Sequence, residues 1–273
     1  MFTPEEMGRL SALGLFQAES MLADSSIPNV EMFGFSIDPT FPPFEDALPE
    51  KAVIGKRAEL FVKHYLTHQE RYELIADGTQ AIVDGQTLGE FDFFLKDNER
   101  GVSIHLEMAC KWYLLDPETD DPPSWIGPNK RDTLSKKIEK LGAQQFPLLH
   151  EAKALPTLER IGVDPSSTIQ CLAFPGFAFV PTAYDGPLDP IRKECLTGAW
   201  CRLDEFKSLQ NEGARYYLPN RYEWLIDPMY NREWDILDSI VKRLEVSLSK
   251  KRSTLVWTLL PDGRTERTFV VWW

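Results

Sequence analysis

Thirteen consecutive residues, 102–114 (VSIHLEMACKWYL), alternate without interruption between two faces. Val102, Ile104, Leu106, Met108, Cys110, Trp112 and Leu114 fall on one side, and Ser103, His105, Glu107, Ala109, Lys111 and Tyr113 on the other. A period of two belongs to a β-strand, and a one-residue slip would exchange the faces, so the run specifies a strand with one buried apolar side. Such a strand needs a sheet around it. Residues 80–84 (QAIVD) predict a short strand and Asp84-Gly85 a turn. Residues 87–96 (TLGEFDFFLK) predict another strand, with Glu90 and Asp92 on one face and Phe91, Phe93 and Leu95 on the other. The turn at 97–101 joins it to the long strand as a hairpin, so two neighbouring strands send carboxylates toward a shared surface.

Helices flank these strands. Over residues 49–69, Ile54, Ala58, Phe61 and Tyr65 recur at i, i+4, i+7 and i+11, one face of an amphipathic helix with Glu59 at the edge of its buried stripe. An acidic loop at 116–123 leads to a predicted helix over 130–150. Its stripe of Leu134, Ile138, Leu141, Gln145 and Leu148 contains a glutamine where a hydrophobe is expected, and Lys137 and Gln144 flank the same side. Polar groups on a buried stripe require partners. Residues 168–181 return to strand composition. The chain reads as three parts: a helix and irregular segment at 1–49, a core at 50–181, and an aromatic-rich elaboration or small second domain at 182–273. The last part ends in a hairpin turning at Pro261-Asp262-Gly263. His64 and His68, at i and i+4, read as helix-surface histidines because no HExxH glutamate accompanies them.

Charge narrows the function classes. The net charge of −12 opposes coating of nucleic acid by bulk electrostatics, so any such contact is local. Residues 84–121 hold ten acids against three bases, and residues 129–153 hold six bases against three acids. Neither a bilayer-spanning apolar run nor a signal-peptide pattern is present, which predicts a soluble cytoplasmic protein with no membrane partner. Four cysteines without CxxC spacing predict reduced thiols rather than a zinc site. There is no GxSxG, Walker loop or strand-following GxGxxG.

The residues able to carry chemistry are Glu59, Glu90, Asp92, Glu107 and Lys111, joined by Lys137, Gln144 and Gln145 from the later helix. A few carboxylate oxygens completed by water suit a hard cation such as Mg²⁺. Glu59 on a first helix, GEFD (89–92) on one strand and HLEMACK (105–111) on the next resemble the PD-(D/E)xK nuclease superfamily. More narrowly, GEFDFFL, HLEMACKWYL, WIGPNKRD and KKIEKLGAQQ together resemble an uncharacterised bacterial domain family of unknown function grouped with those nucleases.

The resemblance implies an α/β, restriction-endonuclease-like core of helix, three strands, helix and strand in a mixed sheet, with an α+β C-terminal elaboration. It also implies metal-dependent phosphodiester hydrolysis with Mg²⁺ or Mn²⁺, acting on nucleic acid, DNA ahead of RNA. Asp92 and Glu107 then match the metal-binding acids, Glu59 the optional helix acid, Glu90 a possible helper, and Lys111 or Lys137 the lysine. Candidate substrate contacts are His105, Lys130, Arg131, Gln144 and Gln145, with a structural hydrogen-bonded histidine as the other reading of His105. One spacing departs from the superfamily: Glu107 and Lys111 are four residues apart, roughly 13 Å along a strand, where two is usual. A bulge, a long reach by Lys111, or Lys137 in its place would restore the site. The alternative function is a catalytically inactive nuclease-like module that binds nucleic acid or a protein partner.

Overall fold

A computed structural model describes residues 2–24, 26–49, 52–118, 124–209 and 212–273. Part of the acidic loop, 119–123, lies outside the described residues, as do positions 1 and 50 at the predicted segment boundaries. The elements in chain order begin with α1 (Pro4–Phe16), β1 (Val30–Met32), α2 (Ile54–Thr67), β2 (Tyr72–Val83), β3 (Gln86–Asp97), β4 (Val102–Met108), β5 (Lys111–Asp116) and β6 (Ser124–Ile126). They continue with α3 (Leu134–Lys140), α4 (Leu155–Arg160), β7 (Thr168–Ala173), β8 (Gly176–Pro181), β9 (Leu196–Arg202), α5 (Leu203–Ser208), β10 (Arg215–Tyr217), α6 (Leu237–Ser249), β11 (Thr254–Leu259) and β12 (Thr265–Val271). The result is a mixed α/β protein with two mixed sheets, ordered β1-β7-β4-β3-β2 and β10-β11-β12-β9-β8-β5-β6. Among the described residues, no helix is long and apolar enough to cross a membrane.

The alternating run is divided between the sheets. It forms β4 in the first sheet and β5 in the second, separated by Ala109 and Cys110, and the expected strand at 168–181 is divided in the same way at Phe174 and Pro175. The two breaks face each other. Parallel pairing places Met108 opposite Ala173 before the break and Lys111 opposite Gly176 after it, an unchanged offset, and Ala109 N–H donates to the Ala173 carbonyl between them. The strand pair is therefore one ladder bent at its middle. Pro175 has no N–H to give the ladder. Into this bend comes residue 21, whose N–H donates to the Phe174 carbonyl, while Gly176 N–H donates to Glu19. A Cβ on Gly176 would stand 2.3 Å from Met21 Cε, so the position has to be glycine for the wedge to seat.

Across the bend the facing pattern persists. Ile104, Leu106, Met108, Cys110, Trp112 and Leu114 all enter one core, together with Ala58, Phe61 and Tyr65 of α2. Ala109 and Tyr113 enter a second core on the opposite face. β3 behaves differently from the expectation. Phe93 and Leu95 join the α2 core, but Phe91 packs with Phe94 and Leu148 on the other side. Between the pairs Asp77–Phe93 and Thr79–Phe91 lies Gly78 at φ 54, a backbone conformation that glycine adopts without strain, on the strand facing this change of side.

The later helix is shorter than its periodicity suggests. Thr133 accepts from Lys136 N–H as the N-cap of α3, which passes into a π-helical turn (Leu141–Gln145) and a 3₁₀ turn beginning at Pro147. C-terminal strands β9 to β12 lie in the same sheet as β5, β6 and β8. The predicted terminal hairpin is β11–β12, with Gly263 at φ 87 in its turn. All four cysteines are free and buried. His64, read as a surface residue, is buried beneath the 41–44 segment with Nε2 3.0 Å from the Pro42 carbonyl oxygen.

Candidate functional site

β3 and β4 are antiparallel, with Phe93 opposite Leu106, so the register carries Asp92 to the position opposite Glu107. Met108 N–H donates to Asp92 Oδ2 at 2.9 Å, which holds the carboxylate against the end of β4. Glu107 is fully buried. Burial raises its carboxyl to about 7, against the opposing pull of Lys137 and the hydrogen bond from Gln145. Asp92 is pushed up to about 6, first by burial and then by the Glu107 charge. Two acids thus share a desolvated place where full ionisation of both is costly.

The lysine beside them is Lys137. Burial lowers its ammonium, while Glu107 and Asp92 oppose that shift. Lys137 Nζ donates to Gln145 Oε1 at 3.0 Å, and Gln145 Nε2 donates to Glu107 Oε2. Gln145 ends the π-helical turn that follows α3. A π turn inserts an extra residue into the helical repeat, and such turns recur at functional sites. Lys111 is drawn elsewhere: its ammonium lies 2.7 Å from Asp132 Oδ2.

His105, two residues before Glu107, is also fully buried. Its ring stacks on Phe94 at 5.2 Å and meets Phe91 and Phe146 edge-on. Burial drives the imidazole down to about 4, so its 2.9 Å contact with Glu107 is a hydrogen bond from a neutral ring rather than an ion pair.

An outer layer surrounds this centre. Lys56 Nζ lies 2.7 Å from Glu59 Oε2 and 3.1 Å from Glu90 Oε1, joining α2 to β3. The Glu59 hydrogen bond is the main reason the Lys56 ammonium rises to about 12. Burial raises the Glu59 carboxyl. Of the remaining candidates, Gln144 and Arg131 are exposed, and Lys130 is bound to Asp116 at 3.2 Å and lies over the Trp273 ring.

Asp92, Glu107, Lys137 and Gln145 are therefore brought together, Glu59 and Glu90 flank them, and Lys111, Lys130, Arg131 and Gln144 stand apart. Sequence reasoning missed Lys56, signalled only by its i, i+3 spacing from Glu59. It also missed Asp132, which takes Lys111, and Gln170, a polar residue within the apolar β7.

Among the described residues, no three His, Cys, Asp or Glu side chains converge as a metal-binding cluster. The donor set is the Asp92–Glu107 pair. A buried and a half-buried carboxylate are the donor type of a cation that takes one or two carboxylates and completes its shell with water, the habit of Mg²⁺, although both Glu107 oxygens and Asp92 Oδ2 already accept hydrogen bonds.

Fold and site together define a mixed α/β protein in which a buried glutamate meets a half-buried aspartate and a half-buried lysine where its strands change sheets. A family profile matches residues 41–271, and the chain belongs to that family, described as Domain of unknown function (DUF1853). No curated protein and no solved structure matches the chain.

Proposed function

We propose that this chain is a metal-dependent nuclease that hydrolyses nucleic-acid phosphodiester bonds, DNA ahead of RNA. The observation that carries this reading is the meeting of Asp92, Glu107 and Lys137 on separate elements. The order α2, β2, β3, β4, α3, β7, with the four strands in one sheet, supports a restriction-endonuclease-like core for the region 50–181. Asp92 and Glu107 would hold Mg²⁺ or Mn²⁺, with Glu59 and Glu90 at the edge of the site. When bound there, the cation supplies Lewis-acid polarisation of a phosphoryl oxygen and acidifies water.

The chain's own groups do the rest. Lys137, its ammonium lowered by burial and steadied by Gln145, is placed to orient water or to stabilise charge on the phosphoryl group. It takes the role that the spacing of Glu107 and Lys111 made difficult. Lys136 and Lys140, exposed on the same helix, are available to phosphates.

The test is cleavage of single- and double-stranded DNA and RNA with Mg²⁺, Mn²⁺ or EDTA, beside Asp92→Ala and Glu107→Ala. Metal-dependent cutting lost in both variants is the expected result, and full activity in Asp92→Ala with its fold intact would sink the assignment. The second reading is an inactive nuclease-like module that binds nucleic acid or a protein partner. It is favoured by the donors already on both Glu107 oxygens and by the diversion of Lys111. Absence of Mg²⁺ and Mn²⁺ binding by calorimetry, with no cutting, would select it.

A further inference from the structure

Behind Glu107 lies a hydrogen-bonded circuit that the proposed chemistry does not itself require. Gln170 on β7 is directly opposite His105 on β4 in the parallel ladder. Its Nε2 donates to the Phe146 carbonyl at 2.6 Å and lies 3.4 Å from His105 Nδ1. Only one placement of protons satisfies these contacts. The Phe146 carbonyl accepts only, so the amide nitrogen of Gln170 must face it, and the second hydrogen of that nitrogen then points at Nδ1. Nδ1 therefore accepts, and Nε2 carries the ring proton and donates it to Glu107 Oε1.

From the other side, Gln145 donates to Glu107 Oε2. Gln145 and Phe146 are adjacent in the chain, so the path closes: Glu107, His105, Gln170, the Phe146 carbonyl, Gln145, and Glu107 again. The loop binds β4, β7 and the π-helical turn after α3. Lys137 hangs on the same turn through Gln145 Oε1. Each Glu107 oxygen receives one donor, so rotation of the carboxylate would break a bond on either side. The His105 ring is held in its plane by Phe91, Phe94 and Phe146.

We propose that His105 and Gln170 are positioning residues that fix the orientation of the Glu107 carboxylate, and its placement against Lys137, for metal binding. This rests on the nuclease reading for the identity of the ligand, though the proton placement does not. Outer partners that orient a ligating side chain typically account for 10–100-fold in metal affinity.

The experiment uses the full chain and Mn²⁺ alone. Calorimetry compares the parent with His105→Phe, His105→Gln and Gln170→Leu, and nitrogen NMR of labelled histidine reads the His105 tautomer in the metal-free parent. Phenylalanine suits the aromatic cage but gives Glu107 no donor, so Mn²⁺ affinity falls at least about tenfold. Glutamine restores a donor and an acceptor and recovers most of it. Gln170→Leu leaves β7 intact and lies between them.

The NMR result expected is a neutral ring with its proton on Nε2, and a proton on Nδ1 instead overturns the circuit whatever the metal does. His105→Phe binding Mn²⁺ as well as the parent overturns the positioning role. If His105→Phe does not fold, parental affinity in Gln170→Leu overturns it equally. A parent that binds no Mn²⁺ overturns the nuclease reading, an outcome separate from both.

Discussion

Replacement of Asp92 by asparagine tests the site through stability rather than activity. The Asp92 carboxyl lies at about 6 in the folded chain against 3.8 for the free group, raised by burial and by Glu107. A raised acid contributes stability that is complete below the unfolded value, near pH 4, and is lost as pH rises through the folded value, near pH 6. Asparagine never ionises and so does not suffer that loss, and its side-chain oxygen still accepts from Met108 N–H. At about 1.4 kcal/mol per pH unit, Asp92→Asn is stabilised by roughly 2–3 kcal/mol at pH 8, the lower end allowing for the solvent contact that Asp92 keeps.

At this size that corresponds to a rise of roughly 3–5 °C in Tm. The assay is differential scanning calorimetry of parent and variant in EDTA at pH 4 and pH 8. The gain is expected in full at pH 8 and reduced to a small fraction at pH 4, where the folded carboxyl is protonated and the unfolded one about half so. A variant less stable than the parent at pH 8, or an equal offset at both pH values, would refute the account of an Asp92 carboxyl raised by desolvation and by the Glu107 charge. Added Mg²⁺ should raise the parent's Tm at pH 8 and leave Asp92→Asn largely unmoved, because the charge it would neutralise is gone.

Lys137→Met is expected to reduce metal-dependent cleavage by about 10²–10³-fold in single-turnover assays, the range for loss of one donor that stabilises transition-state charge. Lys111→Met, whose parent amine is engaged by Asp132, should stay within a few-fold in the same assay. Lys56→Met removes the cation between Glu59 and Glu90 but at an exposed position, so urea unfolding should report a loss below about 1 kcal/mol. Gly198→Ala on β9 would place a Cβ 2.0 Å from the Arg267 carbonyl of β12, and denaturant titration should show a loss of about 3 kcal/mol or more as the parallel pair is forced apart.

Much of this arrangement is written locally. The alternation over residues 102–114 determined which side chains face the α2 core, and all of them do so even though the strand changes sheets midway. That follows because side-chain parity is a property of the extended backbone itself and survives a bend that keeps the ladder offset. The stripe Ile54, Ala58, Phe61 and Tyr65 likewise placed Glu59 at the edge of a buried face, and GEFD with HLE brought Asp92 opposite Glu107 through hairpin register alone.

Tertiary structure decided where the strands bend and which lysine serves the acids. Ala109 and Cys110 carry no local break signal; the bend depends on Pro175 in a distant strand and on Met21 seated over Gly176. Lys111 shares a face with Glu107, yet Asp132, more than twenty residues later, takes its charge. Lys137 is tied to Glu107 through Gln145 of the π-helical turn after α3, and Gln170 meets His105 because two strands 65 residues apart pair in parallel. A buried charge is balanced by whatever donors the whole fold delivers to it, so those partners are not encoded in any one stretch of chain.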